Sequence, residues 1–407
     1  MKNKQKLFHS KKKIIAFFNN VENMSVKSNN TPIDGGTNIF LHLIEQLKNQ
    51  EVHISTQRGN AIKFRRKAGL KNVVFDEFTP LYEYSKINCG FVEIILRTIY
   101  LSFSLSRKYR KFNICCSSSD FWPDTIPAFL LKFWNKNIVW VAGYFLFAPY
   151  PWSKDNPYKG KRFLVGLFYW LTQLPIYKLI QKNADYILVT SLPDKERFLK
   201  SGTKGKIFVV QGGIDLEPSK RYFNVKKDEQ DKDYGACFVG RLHYQKGVLE
   251  LVDIWKQVCH HVPGARLAIV GVGPLEKEIV EKIDANDLKN NIDLLGFKDG
   301  SDKYNVFKKS KIVVHPATYD SGGMAAAEAM AWGLPGVCFD LESLKTYYPK
   351  GMLKAKRGDL VMFANNIVNL LRDKVLYTRT AKDARDLVVN CWSWENRFQN
   401  IIKEIII

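Results

Sequence analysis

Short apolar runs alternate with amphipathic helical patterns along the first half of the chain. Runs of apolar and β-branched residues predict strands at Lys13–Phe18, Val52–Thr56, Phe112–Cys116, Asn137–Val141, Tyr186–Thr190 and Ile207–Val210. Apolar residues at helical spacing predict helices at Thr37–Asn49 and Asp194–Ser201. Alternation of this kind is typical of parallel βαβ units.

The second half repeats the alternation. Strands are predicted at Tyr234–Val239, Arg266–Val270, Ile292–Leu295, Ile312–His315 and Gly336–Phe339. Helices are predicted at Val248–His260, Pro274–Ile283, Ser301–Lys309, Met324–Trp332 and Leu360–Asp373. We therefore expect an α/β protein of two Rossmann-like, doubly wound domains, with a ligand cleft where the carboxyl ends of the two sheets face each other.

A polar, charged segment without periodicity, LEPSKRYFNVKKDEQDKD, separates the halves. It predicts a first domain over residues 1–215, a linker over 216–232 and a second domain that begins at residue 233. A chain of 407 residues is long for one core, which also favours two domains.

The chain is strongly basic, with 62 Lys and Arg against 40 Asp and Glu and a net charge of +22. The excess is concentrated at the start, because residues 1–110 contain nineteen Lys or Arg and eight Asp or Glu. Such a charge suits acidic small molecules, nucleic acid or an anionic membrane face. The sequence contains no nucleic-acid-binding motif, and its basic residues are not interleaved with aromatic residues, so nucleic acid is not an expected partner.

The seven cysteines form no C-x-x-C pair, and the seven histidines are scattered. This pattern predicts a reduced, cytoplasmic protein without a disulfide framework or a metal site.

Two apolar stretches bear on membrane contact. Phe163–Ile180 approaches a spanning length, but polar residues and a proline interrupt it, which favours a buried or interface helix over a transmembrane one. Phe91–Lys111 joins an apolar helix face to a basic end, and Lys63–Arg66 adds charge. It is either a core helix with solvated ends or a helix that lies on an anionic leaflet. The second alternative predicts peripheral attachment to the inner face of the cytoplasmic membrane.

The segment YDSGGMAAAEAMAWGLP combines two carboxylates with a glycine-rich helix start. Gly322 and Gly323 precede the predicted helix, whose first N–H groups can face an anion. Asp320 comes before the glycines, and Glu328 lies just past the first turn. Amides for a diphosphate and acids for hydroxyl groups suit a sugar nucleotide. The alternative is a surface helix with a glycine-rich start.

A second segment, FVGRLHYQKG, places cations at a strand end. The strand ends at Gly240, and Arg241 and Lys246 follow before the next helix. Two cations in a glycine-bracketed loop can neutralise a diphosphate and stabilise the charge that grows on it as it departs. The alternative is a pair of solvated cations on a loop.

Glycines also mark three further turns between strands and helices. Each turn could bring backbone close to a nucleotide, and each could equally be a plain connector. The second-domain turns lack the third glycine and the distal acid of a dinucleotide fingerprint. These positions are Gly35, Gly36, Gly271, Gly273, Pro274 (predicted as the first helical residue), Gly296 and Phe297.

Taken in order, the motifs form a series. A GG loop, a strand ending in Thr190-Ser191, the GID turn Gly213–Asp215, GRLxxxKG, GxGP, LLGF and the acidic Gly-Gly helix follow one another. This series resembles the retaining nucleotide-sugar glycosyltransferases of family 4, which have the GT-B fold. The resemblance covers nearly the whole chain and is strongest from Asp185 to Pro335.

The resemblance implies a role for each candidate residue. Arg241 and Lys246 would bind the donor diphosphate. Glu328 would hold the donor ribose, and Asp320 would touch the transferred sugar. The first domain, 1–215, would bind the acceptor, and the second, 233–390, would bind the nucleotide sugar. A C-terminal helix over 391–407, which includes Trp392–Ile407, would cross back onto the first domain. The donor-binding positions would be Gly35, Gly36, Gly240, Gly271, Gly273, Pro274, Gly296, Phe297, Gly322, Gly323 and Met324.

The chain departs from the family pattern at two places. Asp320 stands where the family usually has Glu and is one methylene shorter. Many relatives carry a His after the fourth strand of the first domain, whereas NIVWVAGYF has none and Tyr144 occupies that neighbourhood. Asp120 and Tyr144 are the acceptor-side candidates. For Asp120 the alternative is a cap on the following helix.

The resemblance also implies a reaction. A hexosyl-type sugar would pass from a nucleoside-diphosphate sugar to a saccharide or lipid-linked acceptor with retention of configuration, in the synthesis of cell-surface polysaccharide or glycolipid. No metal or cofactor is then expected, since Arg241, Lys246 and the helix start oppose the charge of the diphosphate. The alternatives are an epimerase or phosphorylase of the same fold, or a degenerate sugar-nucleotide-binding protein without transferase activity.

Overall fold

A computed structural model describes residues 11–19, 33, 35–47, 49–65, 70, 73–78, 90–225, 232–320 and 322–406. These residues form two α/β domains, each built on one parallel sheet. The predicted fold class, two Rossmann-like domains, is confirmed.

The first sheet has seven strands in the order β3-β2-β1-β4-β5-β6-β7, and neighbouring strands run parallel. The strands are β1 (Lys13–Phe18), β2 (Glu51–Gln57), β3 (Val73–Phe78), β4 (Ile114–Ser117), β5 (Val139–Gly143), β6 (Tyr186–Val189) and β7 (Lys206–Val209). The helices are α1 (Gly35–Gln46), α2 (Arg58–Arg65), α3 (Gly90–Lys108), α4 (Trp122–Trp134), α5 (Phe163–Asn183) and α6 (Leu192–Lys200).

The second sheet has six parallel strands in the order β10-β9-β8-β11-β12-β13. The strands are β8 (Tyr234–Val239), β9 (Leu267–Val270), β10 (Ile292–Leu294), β11 (Ser310–His315), β12 (Gly336–Phe339) and β13 (Met352–Ala355). The helices are α7 (Glu217–Asn224), α8 (Val248–His261), α9 (Glu276–Ala285), α10 (Gly300–Lys308), α11 (Met324–Ala331), α12 (Glu342–Tyr347), α13 (Leu360–Arg372), α14 (Lys374–Cys391) and α15 (Trp394–Ile406).

Strand β1 shows why the strands of these sheets have continuous apolar sequences. Ile14 and Ala16 lie in one buried cluster, with α1 and α15, while Ile15 and Phe17 lie in the cluster on the other face, with α3 to α6. Successive strand residues point to opposite faces, so a sheet covered by helices on both sides needs apolar residues at every position.

The segment 216–232, predicted as an irregular linker, contains helix α7. Tyr222 of this helix packs on Trp332 of the second domain, with 5.2 Å between the ring centroids. The first half of the predicted linker is therefore a helix that packs on the second domain.

The last helix, α15, packs on the first domain. Trp394 at its start stacks on His42 of α1, with 4.0 Å between the ring centroids. Three apolar side chains of the helix share a buried cluster with α1, namely Phe398, Ile401 and Ile405. The chain thus returns from the second domain to the first.

Helix α5 is a surface helix with an apolar outer face. With the turn before it, Gly160–Asn183, it is long and apolar enough to cross a membrane by length and composition, but only 22% of its most apolar 18-residue window is buried. Ile176 and Ile180 pack on the first sheet, whereas Leu164 is 73% exposed. The expectation of a buried or interface helix is therefore not met as regards burial within this chain, and the interface helix stays a prediction.

Candidate active site

The carboxyl ends of the two sheets are joined by contacts across the cleft between the domains. The Tyr319 hydroxyl, after β11, donates a hydrogen bond to the Phe147 carbonyl, after β5, at 2.7 Å. Gln245 Nε2, after β8, donates to the Tyr158 hydroxyl at 3.3 Å. The loops that follow strands β5, β8 and β11 therefore face one another, where doubly wound folds bind ligands.

Asp320 and Lys246 form an ion pair at this cleft. Lys246 Nζ lies 2.5 Å from Asp320 Oδ2, and His315 Nε2 lies 3.2 Å from the same oxygen. The second carboxylate oxygen accepts a hydrogen bond from the Gly322 N–H at 3.3 Å. The structure thus joins two predicted site residues, and it adds a buried histidine that the sequence analysis did not select.

The charge on Asp320 is held by its neighbours. Burial alone would raise the pKa of this carboxyl, but Lys246 and His315 overcome that effect and hold the pKa well below its usual range. Asp320 is therefore an anion over the physiological pH range. Since a carboxylate only accepts hydrogen bonds, it can receive them from Lys246 and from ligand hydroxyl groups together.

The start of helix α11 is closely surrounded. A Cβ on Gly322 would lie 2.6 Å from the Tyr347 ring, and one on Gly323 would lie 3.0 Å from His315 Nε2. The Tyr348 hydroxyl also donates to the Gly323 carbonyl. A side chain at Gly322 would overlap Tyr347, and one at Gly323 would require His315 to shift, so the glycines allow the helix start to lie close to both.

Met324, the first residue of α11, reaches the first domain. A Cβ on Gly35 would lie 3.1 Å from Met324 Cε, and one on Gly212 would lie 1.9 Å from Met324 Sδ. Gly35 begins α1, and Gly36 follows it in the same turn. The glycine loop of the first domain and the helix start of the second are therefore in contact, as a ligand held by both would require.

Glu328, one turn into α11, is fixed by a lysine from α10. Lys303 Nζ lies 2.8 Å from Glu328 Oε2 and 3.1 Å from Asp299 Oδ1. Burial would lower the pKa of Lys303, but the two carboxylates raise it above its ordinary value, so the ammonium stays charged. The contact with Lys303 thus involves one oxygen of the Glu328 carboxylate.

Arg241 and Lys246 lie on either side of His243. Burial, Arg241, Lys246 and Arg162 together lower the pKa of His243 to about 4. Arg241 itself is exposed. Burial raises the pKa of Tyr158, in the first domain, to about 12, and the charge of Arg241 acts against this increase. The loop after β8 is therefore a concentrated positive region that faces the cleft.

The glycine turns of the second domain are tied together by backbone contacts. The Gly240 N–H donates to the Val270 carbonyl at 3.0 Å, and the Gly271 N–H donates to the Gly296 carbonyl at 2.8 Å. A Cβ on Gly271 would lie 1.8 Å from the Gly240 carbonyl oxygen, and its φ of 150° also favours glycine.

Gly273, Pro274 and Phe297 are the other predicted positions in these turns. A Cβ on Gly273 would lie 2.4 Å from the Leu242 carbonyl oxygen, so this glycine is required by close packing. Pro274 does not begin the following helix as predicted, because α9 begins at Glu276 after a turn. Phe297 is half-buried beside Gly296, which has a φ of 65°.

The two acceptor-side candidates differ in placement. Asp120 Oδ2 accepts a hydrogen bond from Gln173 Nε2 at 2.7 Å. It is not the helix cap, because α4 begins at Trp122 with Phe121 at the cap position and no side-chain cap bond. Tyr144 is almost fully buried among aromatic rings, and burial together with Asp120 raises its pKa well above the ordinary value.

Three residues of the site were not predicted from the sequence. Lys303, His243 and His315 contact or surround the predicted residues, yet none of them was a candidate. His243 lies inside FVGRLHYQKG and His315 ends the strand before Asp320, so position next to a motif was the available signal. For Lys303 the pairing with Asp299, four residues earlier at the start of the same helix, lies in the local sequence, but nothing local points to Glu328, which lies on another helix.

Comparison with known proteins agrees with this geometry. Residues 220–387 match the family model of glycosyl transferases group 1. A protein encoded in the cps region of Klebsiella pneumoniae is 24% identical over 292 residues, which cover 69% of this chain and 75% of that protein. The UDP-Gal:alpha-D-GlcNAc-diphosphoundecaprenol alpha-1,3-galactosyltransferase of Escherichia coli is 28% identical over 210 residues, 48% of this chain and 53% of that enzyme.

Solved structures share the architecture of both domains. The crystal structure of Anabaena Alr3699/HepE in complex with UDP-glucose superposes with a TM-score of 0.69 at 14% identity, over 97% of this chain and 99% of that one. Residues 220–387, most of the second domain, are thus similar to glycosyl transferases group 1, and the two domains together have the fold of GT-B glycosyltransferase structures.

Proposed function

We propose that the protein transfers a hexosyl-type sugar from a nucleoside-diphosphate sugar to a saccharide or lipid-linked acceptor, with retention of configuration and without a metal ion, as in family 4. The product would be a cell-surface polysaccharide or glycolipid. The observation that carries the proposal is the pair of Lys246 and Asp320, 2.5 Å apart at the start of α11 in the cleft between the domains.

The donor diphosphate would bind between the cationic loop and the helix start. A lysine ammonium has three N–H donors, and Asp320 occupies one on Lys246, so the others are available to phosphate oxygens. Arg241 adds a planar fork that matches phosphate geometry. The first N–H groups of α11 add the positive end of a helix dipole. Together these groups favour a dianionic leaving group.

The carboxylates would orient the rest of the donor. Glu328, held by Lys303, would accept hydrogen bonds from the ribose hydroxyls, and Asp320 would accept them from the transferred sugar. Asp320 is shorter than the usual Glu, but Lys246 and His315 hold it at a fixed position. The sugar would therefore lie close to the start of α11.

Retention would follow from attack on the face that the diphosphate leaves. The acceptor hydroxyl bonds to the anomeric carbon as the carbon–oxygen bond to the diphosphate breaks, and the departing phosphate oxygen takes the hydroxyl proton. The protein then supplies alignment and charge stabilisation instead of a covalent intermediate. Lys246 and Arg241 would stabilise the leaving phosphate most when its negative charge is largest.

The relatives support this choice of substrates. The Escherichia coli enzyme is named for a UDP-galactose donor and a diphosphoundecaprenol-linked acceptor, and HepE was crystallised with UDP-glucose. The Klebsiella protein comes from a cps region. A nucleotide sugar and a lipid-linked saccharide are therefore the first substrates to test.

The test is a donor screen followed by product analysis. Thermal shift against UDP-, GDP- and ADP-sugars identifies the donor, because a bound ligand stabilises the folded protein by mass action. Turnover with an acceptor is then followed by nucleoside-diphosphate release, and NMR of the product reads the anomeric configuration. Activity that persists after exhaustive EDTA treatment supports metal independence, and an inverted product contradicts retention.

The same screen separates the alternatives. An epimerase changes the sugar of the donor without an acceptor, a phosphorylase needs phosphate, and a degenerate protein binds a donor without releasing nucleoside diphosphate. Lys246→Ala should abolish most turnover, whereas Lys277→Ala, a change at an exposed lysine of α9, should retain it.

Peripheral contact with an anionic leaflet is a second part of the proposal. Helix α3 presents Ile99, Tyr100 and Phe103 outward, each at least half exposed, and ends in Arg107 and Lys108. Exposed apolar side chains of α5 continue this character on the same domain. Sedimentation with vesicles that contain phosphatidylglycerol, at low and high salt, measures the contact. No binding at low salt contradicts it.

A further inference from the structure

A cavity of about 480 Å³ lies in the first domain, between α5, α6 and the loop after β5. Most of its wall is aromatic or aliphatic. The rings belong to Tyr144, Phe147, Tyr150, Trp170 and Tyr177. Aromatic faces of this number offer a large apolar contact area without requiring hydrogen bonds from a ligand.

Two cations from α6 line one side of the cavity. The Arg197 guanidinium lies 4.7 Å from the centroid of the Phe147 ring, and Lys200 lies one turn further along the helix. Glu196 is 3.9 Å from Lys200 Nζ, and both side chains are exposed, so this pair neutralises little of the charge. An apolar cavity with a cationic rim suits an amphiphile with an anionic head.

The cavity is connected to the cleft between the domains. The Phe147 carbonyl accepts the hydrogen bond from Tyr319, the residue before Asp320, and the positive charge of Arg197 acts on the Tyr319 hydroxyl. Gln173 of the cavity wall donates to Asp120. A head group held at the rim would therefore lie beside the acceptor side of the proposed site.

On its other side the cavity meets the exposed apolar face of α5. Leu174 lines the cavity and is 38% exposed, and Leu171 and Phe168 continue outward along the helix. Trp152 stands beside Tyr150 with 5.3 Å between the ring centroids and is largely exposed. A ligand longer than the cavity could thus extend along an apolar surface and not into water.

We infer that this cavity binds the apolar chain of a lipid phosphate, with the phosphate on Arg197 and Lys200. The inference deepens the proposed function, on which it rests, by assigning the carrier part of the acceptor to a place in the first domain. The occupant is a single-chain lipid phosphate or diphosphate, because the cavity has room for part of one chain and the rim has two cations.

Binding of a short water-soluble analogue tests the inference. Isothermal titration with farnesyl diphosphate should show binding at least tenfold tighter than with inorganic pyrophosphate, which has no chain, or farnesol, which has no phosphate. Lys246→Ala should leave this binding unchanged, since the cavity is separate from the donor diphosphate site. Equal affinity for farnesyl diphosphate and pyrophosphate overturns the inference.

Paired variants locate the binding. Leu174→Glu places a carboxylate in the cavity wall and should weaken farnesyl diphosphate binding at least tenfold, while Leu164→Glu, on the same helix but outside the cavity, should not. Lys200→Glu should weaken it similarly, and Lys182→Glu should not. If each variant binds as its matched control does, the site is elsewhere.

Donor binding separates this inference from the proposed function. The thermal shift produced by the matched nucleotide sugar should be the same in Leu174→Glu as in the unmodified protein. Farnesyl diphosphate binding without any donor shift would leave the cavity assignment standing and contradict the transferase. A donor shift with no farnesyl diphosphate binding would leave the proposed transferase standing and contradict the cavity assignment.

Discussion

Lys303 Nζ lies 2.8 Å from Glu328 Oε2. This contact joins α10 to α11, the helix that carries Glu328, which is proposed to bind the donor ribose. The Lys303 side chain is 12% exposed, while 32% of the Glu328 side chain is exposed. We therefore expect the lysine to be a positioning residue that holds one carboxylate oxygen of Glu328, so that the other can accept a hydrogen bond from the donor.

Replacement of Lys303 should weaken donor binding more than it slows the chemical step. Lys303→Met removes a charged hydrogen bond worth about 1.5–3 kcal/mol, so KM for the donor should rise roughly tenfold or more. Lys303→Arg should restore most of the affinity because it keeps the charge. Steady-state kinetics over a range of donor concentrations give both constants.

The exposed Lys277 supplies the control for this experiment, since Lys277→Met removes a lysine charge at the surface of the same domain. If Lys303→Met leaves KM unchanged and only lowers the melting temperature, the lysine has a structural role alone and Glu328 does not hold the donor.

The pair of Lys246 and Asp320 should behave as one unit. Lys246→Ala removes the cation proposed to stabilise the leaving diphosphate, which should cost about 2–4 kcal/mol of barrier. It also leaves Asp320 with His315 as its remaining basic neighbour among the described contacts. Asp320→Asn should also lower kcat, because it removes the anion that holds the ammonium.

A double-mutant cycle measures the coupling directly. The two losses should fall short of additivity by about 0.5–3 kcal/mol in Lys246→Ala/Asp320→Asn, as for residues in one network. Additive losses within about 0.5 kcal/mol would mean that the pair observed without donor does not persist in the transition state.

Much of the fold could be predicted from the sequence, because each central strand is buried on both faces. Strand β1 was predicted with its observed bounds, since KIIAFF has no polar residue inside it. The edge strands β3 and β13 were missed. In β3, VVFDEF, the residues are half-buried or exposed, so polar residues interrupt the apolar run and weaken the pattern.

Helix α7 was missed for a different reason. Its sequence, EPSKRYFN, is mostly polar, and its apolar side chains are few, so composition favours a linker. What stabilises it is Trp332, which is more than a hundred residues away in sequence and packs on Tyr222. A helix that is stabilised by packing on a residue distant in sequence cannot be predicted from its local sequence pattern alone.

The same distinction holds for the site. Asp320, Lys246 and the glycines lie in motifs at strand ends, and parallel sheets bring strand ends together, so their proximity followed from topology. Lys303 lies in the middle of a helix of ordinary composition. Its contact with Glu328 depends on how α10 and α11 pack, which single-sequence patterns do not contain.

Acid should destabilise the protein partly through His243. Burial and the neighbouring cations lower its pKa to about 4 in the folded state, against about 6.5 when unfolded. Between these values the unfolded chain binds a proton that the folded chain does not. Stability should therefore fall as pH decreases from about 6.5 to 4, and be unaffected by this group above about 7.

Urea denaturation at pH 7.5 and pH 5 measures this dependence. His243→Asn removes the titrating group and should show a smaller loss of stability between the two pH values than the unmodified protein. The exposed His260, on α8, gives the control His260→Asn, which should keep the full loss. Equal losses in the three proteins would show that His243 does not titrate in this range.

A methyl group added at Gly212 should disturb the contact that Met324 makes between the domains. A Cβ at Gly212 would lie 1.9 Å from Met324 Sδ, so Gly212→Ala must displace this flexible side chain from its position against Gly35. Overpacking of this size costs roughly 1–3 kcal/mol, and donor KM should rise because the helix start moves relative to the first domain. Gly264→Ala is the matched control, since its Cβ would meet nothing within 4 Å.

The double variant Gly212→Ala/Met324→Ala makes the cause specific. Removing the methionine side chain takes away the clash, so the melting temperature should recover most of what Gly212→Ala loses, although Met324→Ala alone should lower it. Thermal denaturation of the four proteins, with and without donor, gives the comparison. If the double variant is the least stable of the set, the two residues do not compete for the same space and the contact between the domains lies elsewhere.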